Sequence, residues 1–336
     1  MNNILYKPVL NLIRIRCFKM MFKLDTVRIP IWVLLIKSLY LLIVGTCLVL
    51  LGACFEPKAD ETTPVPILSS SVEQSNQVRI GLATIDLGVG NNRFAFGILD
   101  KESKPVRLPS VRATFMFIEK EPYEVKSQRN AQFIRWPTGK SGVYLLEDVT
   151  FDKEGNWGLL VDYSDDSGDI YVGQISFEVK KRSSAPAIGE IAPNSINKTV
   201  NNGFKLSEIT SSPEPDLDLY SLTIQEAVNT EKPTLIVFAS PAFCQTATCG
   251  PQIKIVSNIK DIYKNAANFI HIEVFDNPSE MQGNFSKAKI SPLMEEWSLV
   301  SEPFTFIVDK DGIITRKFEG FTTSDELVSA LKKLIE

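Results

Sequence analysis

Two cysteines carry the chemistry that this sequence supports most directly. Cys244 and Cys249 stand in FASPAFCQTATCGP with four residues between them. The thiolate is the reactive form of cysteine, and two thiols this close can form a disulfide, exchange it with another thiol, or hold a soft cation such as copper(I). Ile253, Val256, Ile259, Ile262 and Tyr263 recur at helical spacing just beyond, predicting a helix from about Gly250 to Asn265. Cys249 therefore lies where backbone amides and the helix dipole lower a thiol pKa, which makes it the expected attacking sulfur. Cys244 is then the resolving one. Read instead as a permanent staple, the pair closes so short a loop that it contributes only about 2 kcal/mol of chain entropy.

The rest of the composition closes off other chemistry. There is one histidine in 336 residues, His271 in NFIHIEVF, so a His-rich metal site and a two-His zinc motif are excluded. Its apolar strand predicts a packed residue. Met281 and Met294 are too few and too scattered for a methionine metal cluster. No cofactor or resident metal is expected. Residues 1–53 hold seven Lys/Arg and one acid, Asp25, a net of +6, so the overall −4 leaves −10 on the remainder. Such a chain does not neutralise phosphates, so nucleic acid is not an expected partner.

The elements that must present the cysteines begin with a targeting segment, residues 1–53. Ile29 to Ala53 is apolar except for Lys37 and follows a basic stretch, the layout of an export signal. Its end, LLGAC, resembles the lipobox of bacterial lipoproteins. The resemblance implies cleavage before Cys54, a diacylglycerol thioether on its sulfur, and a lipid bilayer as partner. An uncleaved anchor is the alternative, since Arg28 to Cys54 is long enough to span a bilayer. Both place residues 55–336 outside the cytoplasm, where paired thiols oxidise. Cys17 and Cys47 leave with the signal and Cys54 is taken by lipid, so Cys244 and Cys249 remain as the free pair. Residues 54–76, rich in Pro, Ser, Thr and charge, are expected to be a flexible tether.

Between 77 and 180 the apolar residues alternate in short blocks, predicting strands near 77–84, 92–99, 110–118, 131–136, 142–148, 157–163 and 170–179. Strands at this density fit an all-β immunoglobulin-like sandwich. GxNRFxFGxxD at 90–100 and GxYxxxxVTFDxxGxWG at 142–158 are similar to the patterns of the YtkA-like immunoglobulin-like family, which implies an accessory module. The stretch holds no His and no Cys, and Trp157 and Met116 are expected in its core. The acidic run DYSDDSGD at 162–169 lacks EF-hand spacing and predicts a solvated hairpin. Residues 181–211 shift to Ser, Asn, Pro and Lys and are expected to be a linker that lets the next domain swing.

From 212 to 336 the order of elements reads β, α, β, α, β, β, α after a short opening helix. Thr223 and Glu226 form one capping box, and Thr323 and Glu326 another. LIVFAS is an unbroken apolar strand suited to a sheet covered on both faces. FASPAFCQTATCGP and Glu302-Pro303-Phe-Thr-Phe-Ile-Val-Asp-Lys-Asp-Gly312 together resemble the redox-active turn and the cis-proline strand and hairpin of thioredoxin-like proteins. The resemblance implies an α/β thioredoxin fold and thiol–disulfide exchange, with Pro303 as the cis-proline that shapes the substrate groove. The chain departs from the family pattern in its wider cysteine spacing. Gln252 stands where the family has its second cysteine, and apolar Ile236 and Val237 stand where it buries an acid. Glu302 would lie near the thiols and disfavour a thiolate.

The expected activity is thus a membrane-tethered, extracytoplasmic thiol–disulfide oxidoreductase acting on protein or small thiol and disulfide substrates. Two alternatives use the same turn. One is a non-catalytic envelope binding module for a protein partner or copper(I), as in thioredoxin-fold copper chaperones, whose late His is missing here. The other is a peroxiredoxin-like peroxidase, from Pro241 and Thr246 before Cys249.

Overall fold

The computed structural model describes residues 76–336, apart from 138, 140 and 245. The expected signal at 1–53, the lipidation site Cys54 and the tether up to residue 75 lie outside the described residues. Among those described, no helix is long and apolar enough to cross a membrane.

Eight strands come first: β1 (Asn76–Gln77), β2 (Arg79–Leu82), β3 (Gly90–Leu99), β4 (Ser110–Phe117), β5 (Glu124–Arg135), β6 (Gly142–Phe151), β7 (Gly155–Ser164) and β8 (Ile170–Val179). They form one hydrogen-bonded sheet in the order β1-β8-β7-β4-β5-β6-β3-β2. Two separately bonded sheets are what a sandwich leads one to expect. The ladder is continuous here because β5 is long enough to pair with β4 along its first part and with β6 at its end. At the other margin β1 pairs with β8 and β2 with β3, so residues 76–82 join both ends of the sheet. Gly173 permits that approach, since a Cβ there would lie 2.9 Å from the Val78 carbonyl oxygen.

The inward positions of these strands hold Phe94, Phe96, Phe115, Phe151 and Trp157, all fully buried. Phe94 and Phe115 meet edge to face at 5.0 Å. Trp157 keeps its indole N–H satisfied on the Lys153 carbonyl at 3.1 Å. The acidic run is a hairpin whose Asp165 carboxylate accepts from the Ser167 and Asp169 amides and from the Tyr171 hydroxyl. Those oxygens serve the turn itself.

The second part is a four-stranded sheet of β9 (Thr234–Phe238), β10 (Asn268–Ile272), β11 (Phe304–Val308) and β12 (Ile314–Glu319), ordered β10-β9-β11-β12. β9 and β10 are parallel, while β11 runs antiparallel to both β9 and β12. Around it lie helices α1 (Ile224–Val228), α2 (Cys249–Tyr263), α3 (Pro292–Glu296) and α4 (Ser324–Ile335). Because successive strand residues point to opposite faces, Leu235 and Val237 pack with Ile253, Val256 and Leu331, whereas Ile236 and Phe238 pack with Ile224 and Trp297. This is why β9 reads as an unbroken apolar run. Both capping boxes form, Thr223 with Glu226 and Thr323 with Glu326.

Residues 181–211 are not a swinging linker. Gly189 N–H donates to the Ile314 carbonyl, Ala192 N–H to the Gly312 carbonyl, and Ile314 N–H to the Glu190 carbonyl, so the strap adds to the outer edge of β12. Ala185 and Ala192 enter the core beside Trp297, whose indole N–H donates to Ser195 Oγ at 2.9 Å. Asn197 Oδ1 accepts from the Ile224 amide at 2.7 Å and so serves the start of α1. Backbone pairing with an open strand edge needs no apolar pattern, which is why composition alone suggested a loose segment.

Candidate functional site

The loop from Ala239 to Thr248 leaves the end of β9 and delivers both sulfurs to one place. It turns back at once, with the Phe243 and Cys244 amides donating to the Ser240 carbonyl. Phe243 anchors the turn against Phe275 and Phe285, edge to face. Thr248 then precedes α2, and Cys249 is its first residue. Cys244 and Cys249 form a disulfide with a Cα–Cα distance of 5.9 Å.

The two sulfurs are not equivalent. Cys249 is fully buried, whereas Cys244 is half-buried and its Sγ lies 3.2 Å from Thr246 Oγ1. Helix position alone pointed to Cys249 as the attacking sulfur, and burial works against that role. Gln252, three residues into α2, is buried and accepts the Thr322 amide on its Oε1 at 2.8 Å.

The peptide between Glu302 and Pro303 is cis, as the resemblance implied, and it leads directly into β11. Glu302 Oε2 lies 3.5 Å from Cys249 Sγ, and the ligating atoms of Cys244, Cys249 and Glu302 all fall within 4.8 Å of one another. Ser240 fixes the carboxylate, its amide donating at 2.6 Å and its hydroxyl at 2.7 Å. Burial raises the Glu302 pKa, with the Ser240 donors opposing. Sequence reasoning placed Glu302 near the thiols but missed its tie to Ser240.

A second acid, Glu273, follows β10 and was not anticipated. Burial pushes its carboxyl up to about 7, against two bonds from Ser211, amide and hydroxyl, each at 2.7 Å. The nearby Glu302 charge adds to the rise. Ser211 Oγ in turn accepts the Ala242 amide of the cysteine loop at 3.2 Å. His271 is a packed residue, as expected. Its Nε2 is 2.8 Å from the Ala239 carbonyl oxygen, which only accepts, so Nε2 carries the proton and Nδ1 accepts from Tyr220 Oη at 2.8 Å. Burial lowers its pKa to about 4.

The strand order, the disulfide where β9 passes into α2, and the cis-proline entering β11 are now all in place. The C-terminal fold is thioredoxin-like. No family model and no curated protein matches the chain. Among solved structures it is similar to a thiol:disulfide interchange protein of the thioredoxin family from Chlorobium tepidum, at 14% identity and TM-score 0.30, covering 45% of this chain and 100% of that one. It is also similar to the exposed lipoprotein thioredoxin Etrx1 of Streptococcus pneumoniae, at 17% identity and TM-score 0.24, covering 32% of this chain and 87% of that one. StoA from Bacillus subtilis is a third, at 14% identity and TM-score 0.27, with 36% and 93% covered.

Proposed function

We propose that the protein is a thiol–disulfide oxidoreductase working outside the cytoplasm, held at the membrane by lipid on Cys54 and exchanging with protein or small thiol and disulfide substrates. The observation that carries this reading is the asymmetry of the disulfide. One sulfur is reachable, and its partner is buried against a carboxylate beside a cis-proline. A staple needs neither an open sulfur nor an acid.

In this reading the two cysteines exchange the roles that helix position alone assigns them. An incoming thiolate attacks Cys244 Sγ and forms a new S–S bond there. The electron pair of the broken bond passes to Cys249 Sγ, and a proton reaches that sulfur from solvent or from Glu302 once it has taken one up. In the other direction reduced Cys244 attacks a substrate disulfide. Glu302 then takes the proton of Cys249 as that sulfur attacks the mixed disulfide, and the substrate leaves as a dithiol. Ser240 keeps the carboxylate aimed, and burial raises its pKa, which favours its taking up a proton from the sulfur. Pro303 borders the groove without a backbone N–H of its own.

The strand-rich unit, residues 77–180, is in the same reading an immunoglobulin-like accessory domain without chemistry of its own. Residues 212–336 form the redox domain. Two features disfavour the rival uses of the pair. The group beside Cys249 is an acid, where a peroxide needs its oxygen polarised by a cation or donor, and Thr246 meets Cys244 instead. For copper(I) the third donor is a hard carboxylate, and both ring nitrogens of His271 are engaged.

The test is the reduction potential of the pair in the full-length protein, by equilibration against glutathione and dithiothreitol with thiol alkylation. A value between about −120 and −270 mV supports exchange, and one below about −300 mV sinks it in favour of an inert disulfide. For the anchor, metabolic labelling with a radioactive fatty acid should disappear in Cys54→Ala; persistent labelling would overturn that part.

A further inference from the structure

The end of β12 and the loop after it, residues 319–323, touch both the strand-rich domain and the redox site. On one side the strand-rich domain grips it. The Ile85 and Asp86 amides donate to Glu319 Oε2 at 3.0 and 2.9 Å. Arg93 donates to the Glu319 carbonyl at 3.0 Å and the Phe321 carbonyl at 2.8 Å, and pairs with Glu326, the capping-box acid of α4, at 2.8 Å. Both side chains of that pair are about one-tenth exposed. On the other side the same loop grips the site. Glu319 Oε1 accepts the Ser301 hydroxyl at 2.6 Å, and Gly320 N–H donates to the Pro303 carbonyl at 2.8 Å. Thr322 N–H reaches Gln252, in the first turn of α2 beyond Cys249, at 2.8 Å.

A buried carboxylate is costly unless its oxygens are saturated, and Glu319, 6% exposed, has three donors from two domains. Only the assembled pair of domains satisfies it. We propose that Glu319 is a positioning residue of the redox site, and that through Glu319 and Arg93 the strand-rich domain fixes the loop carrying Glu302 and Pro303 against Cys249. The N-terminal domain is then a built-in clamp on the disulfide rather than a spacer. Any partner that loosens the Arg93 contact changes the redox properties of a pair it never touches. The inference draws on the exchange reading only for its consequence in turnover. The redox equilibrium itself is a property of the pair, whether or not the protein acts on a substrate.

The test uses the full-length protein and the equilibrium constant of Cys244–Cys249 with glutathione, together with the alkylation rate of the reduced pair. Glu319→Ala should shift the constant by about tenfold, the scale of one buried hydrogen bond to a charged group. Glu319→Gln keeps an acceptor for the amides and a polar contact to Ser301, and should restore it to within about threefold. Arg93→Lys leaves the disulfide, Glu302 and Pro303 untouched and should shift it in the same direction as Glu319→Ala. A role confined to holding the fold together predicts lower thermal stability with an unchanged constant in the folded protein, and that result overturns the proposal. Should Glu319→Ala not fold, Arg93→Lys and Ser301→Ala decide the matter: wild-type constants and alkylation rates in both would also overturn it. A shifted constant in a protein that exchanges with no substrate would keep the clamp and end the oxidoreductase reading. Brisk exchange insensitive to Arg93 and Glu319 would do the reverse.

Discussion

The strand-rich domain and the thioredoxin-like domain both bury aromatic cores, but they differ in what lies among the rings. Apart from Asp86 at the junction, the described part of the first domain buries no carboxylate, amine or imidazole, and its rings pack on one another, Trp157 edge to face on Phe151 and Phe94 on Phe115. The second domain buries Glu273, His271, Lys260 and Glu319, and half-buries Glu302. Removing such groups from water is unfavourable, and a domain built only for shape has no reason to do so. Glu302 lies against Cys249, Glu273 is tied through Ser211 to the cysteine loop, and Glu319 bonds Ser301 next to Glu302, so the acids of this domain gather around one loop system.

The largest expected effect falls on the cysteines. Cys244→Ser should abolish exchange, and Cys249→Ser should stop the reaction with a disulfide substrate at the mixed disulfide, which mass spectrometry will detect on Cys244. Accumulation of the mixed species on Cys249 in Cys244→Ser would restore the roles that helix position assigns. Next comes Trp157→Ala, expected to destabilise the strand-rich core by about 3–5 kcal/mol in urea unfolding followed by fluorescence. If the junction couples the domains, the transition stays single and moves as a whole. Two separated transitions would mean that each domain stands alone.

A smaller effect concerns Glu273. Its folded pKa is raised to about 7 from an ordinary 4.5, so its contribution is complete below about pH 4.5 and is lost as pH rises through 7. Glu273→Gln should remove that slope and stabilise the protein above pH 7 by roughly 2–3 kcal/mol. Chemical denaturation at pH 5 and pH 8 checks this, and equal gains at both values would contradict it. His271 acts in the opposite sense, its contribution being complete above about pH 6.5 and lost as pH falls through about 4. The smallest change is Thr323→Ala, which removes the α4 cap bond and should cost about 1 kcal/mol, read in the same denaturation series, with the disulfide equilibrium altered far less than by Glu319→Ala.

Much of the frame was legible because its signals are local. Capping boxes, the unbroken run of β9, and Glu302-Pro303 before an apolar strand and hairpin each fit within a dozen residues. The cysteine pair was visible for the same reason. What escaped depends on partners far away in the chain. The first part of β5, EVKSQRN, is polar and largely exposed, so no alternation marks it as a strand. The strap at 181–211 is held by backbone pairing that leaves no pattern in side chains. The difference in burial between the two sulfurs is another such feature, which the helix start at Cys249 does not reveal. Glu319 meets Ile85 across 234 positions, and nothing near either residue announces the contact.

The strap along β12 also bears on how these molecules behave in a crowd. An uncovered outer strand offers its free amides and carbonyls as a template for a neighbour of the same kind, and that is a common start of aggregation. Chains anchored on a membrane, as proposed here, meet one another at high surface density. By occupying the Ile314 amide and the Gly312 and Ile314 carbonyls with its own backbone, the strap covers the start of this margin. Proteolytic nicking between Ala185 and Ala192 would therefore free the Ile314 amide and carbonyl to pair with a neighbour.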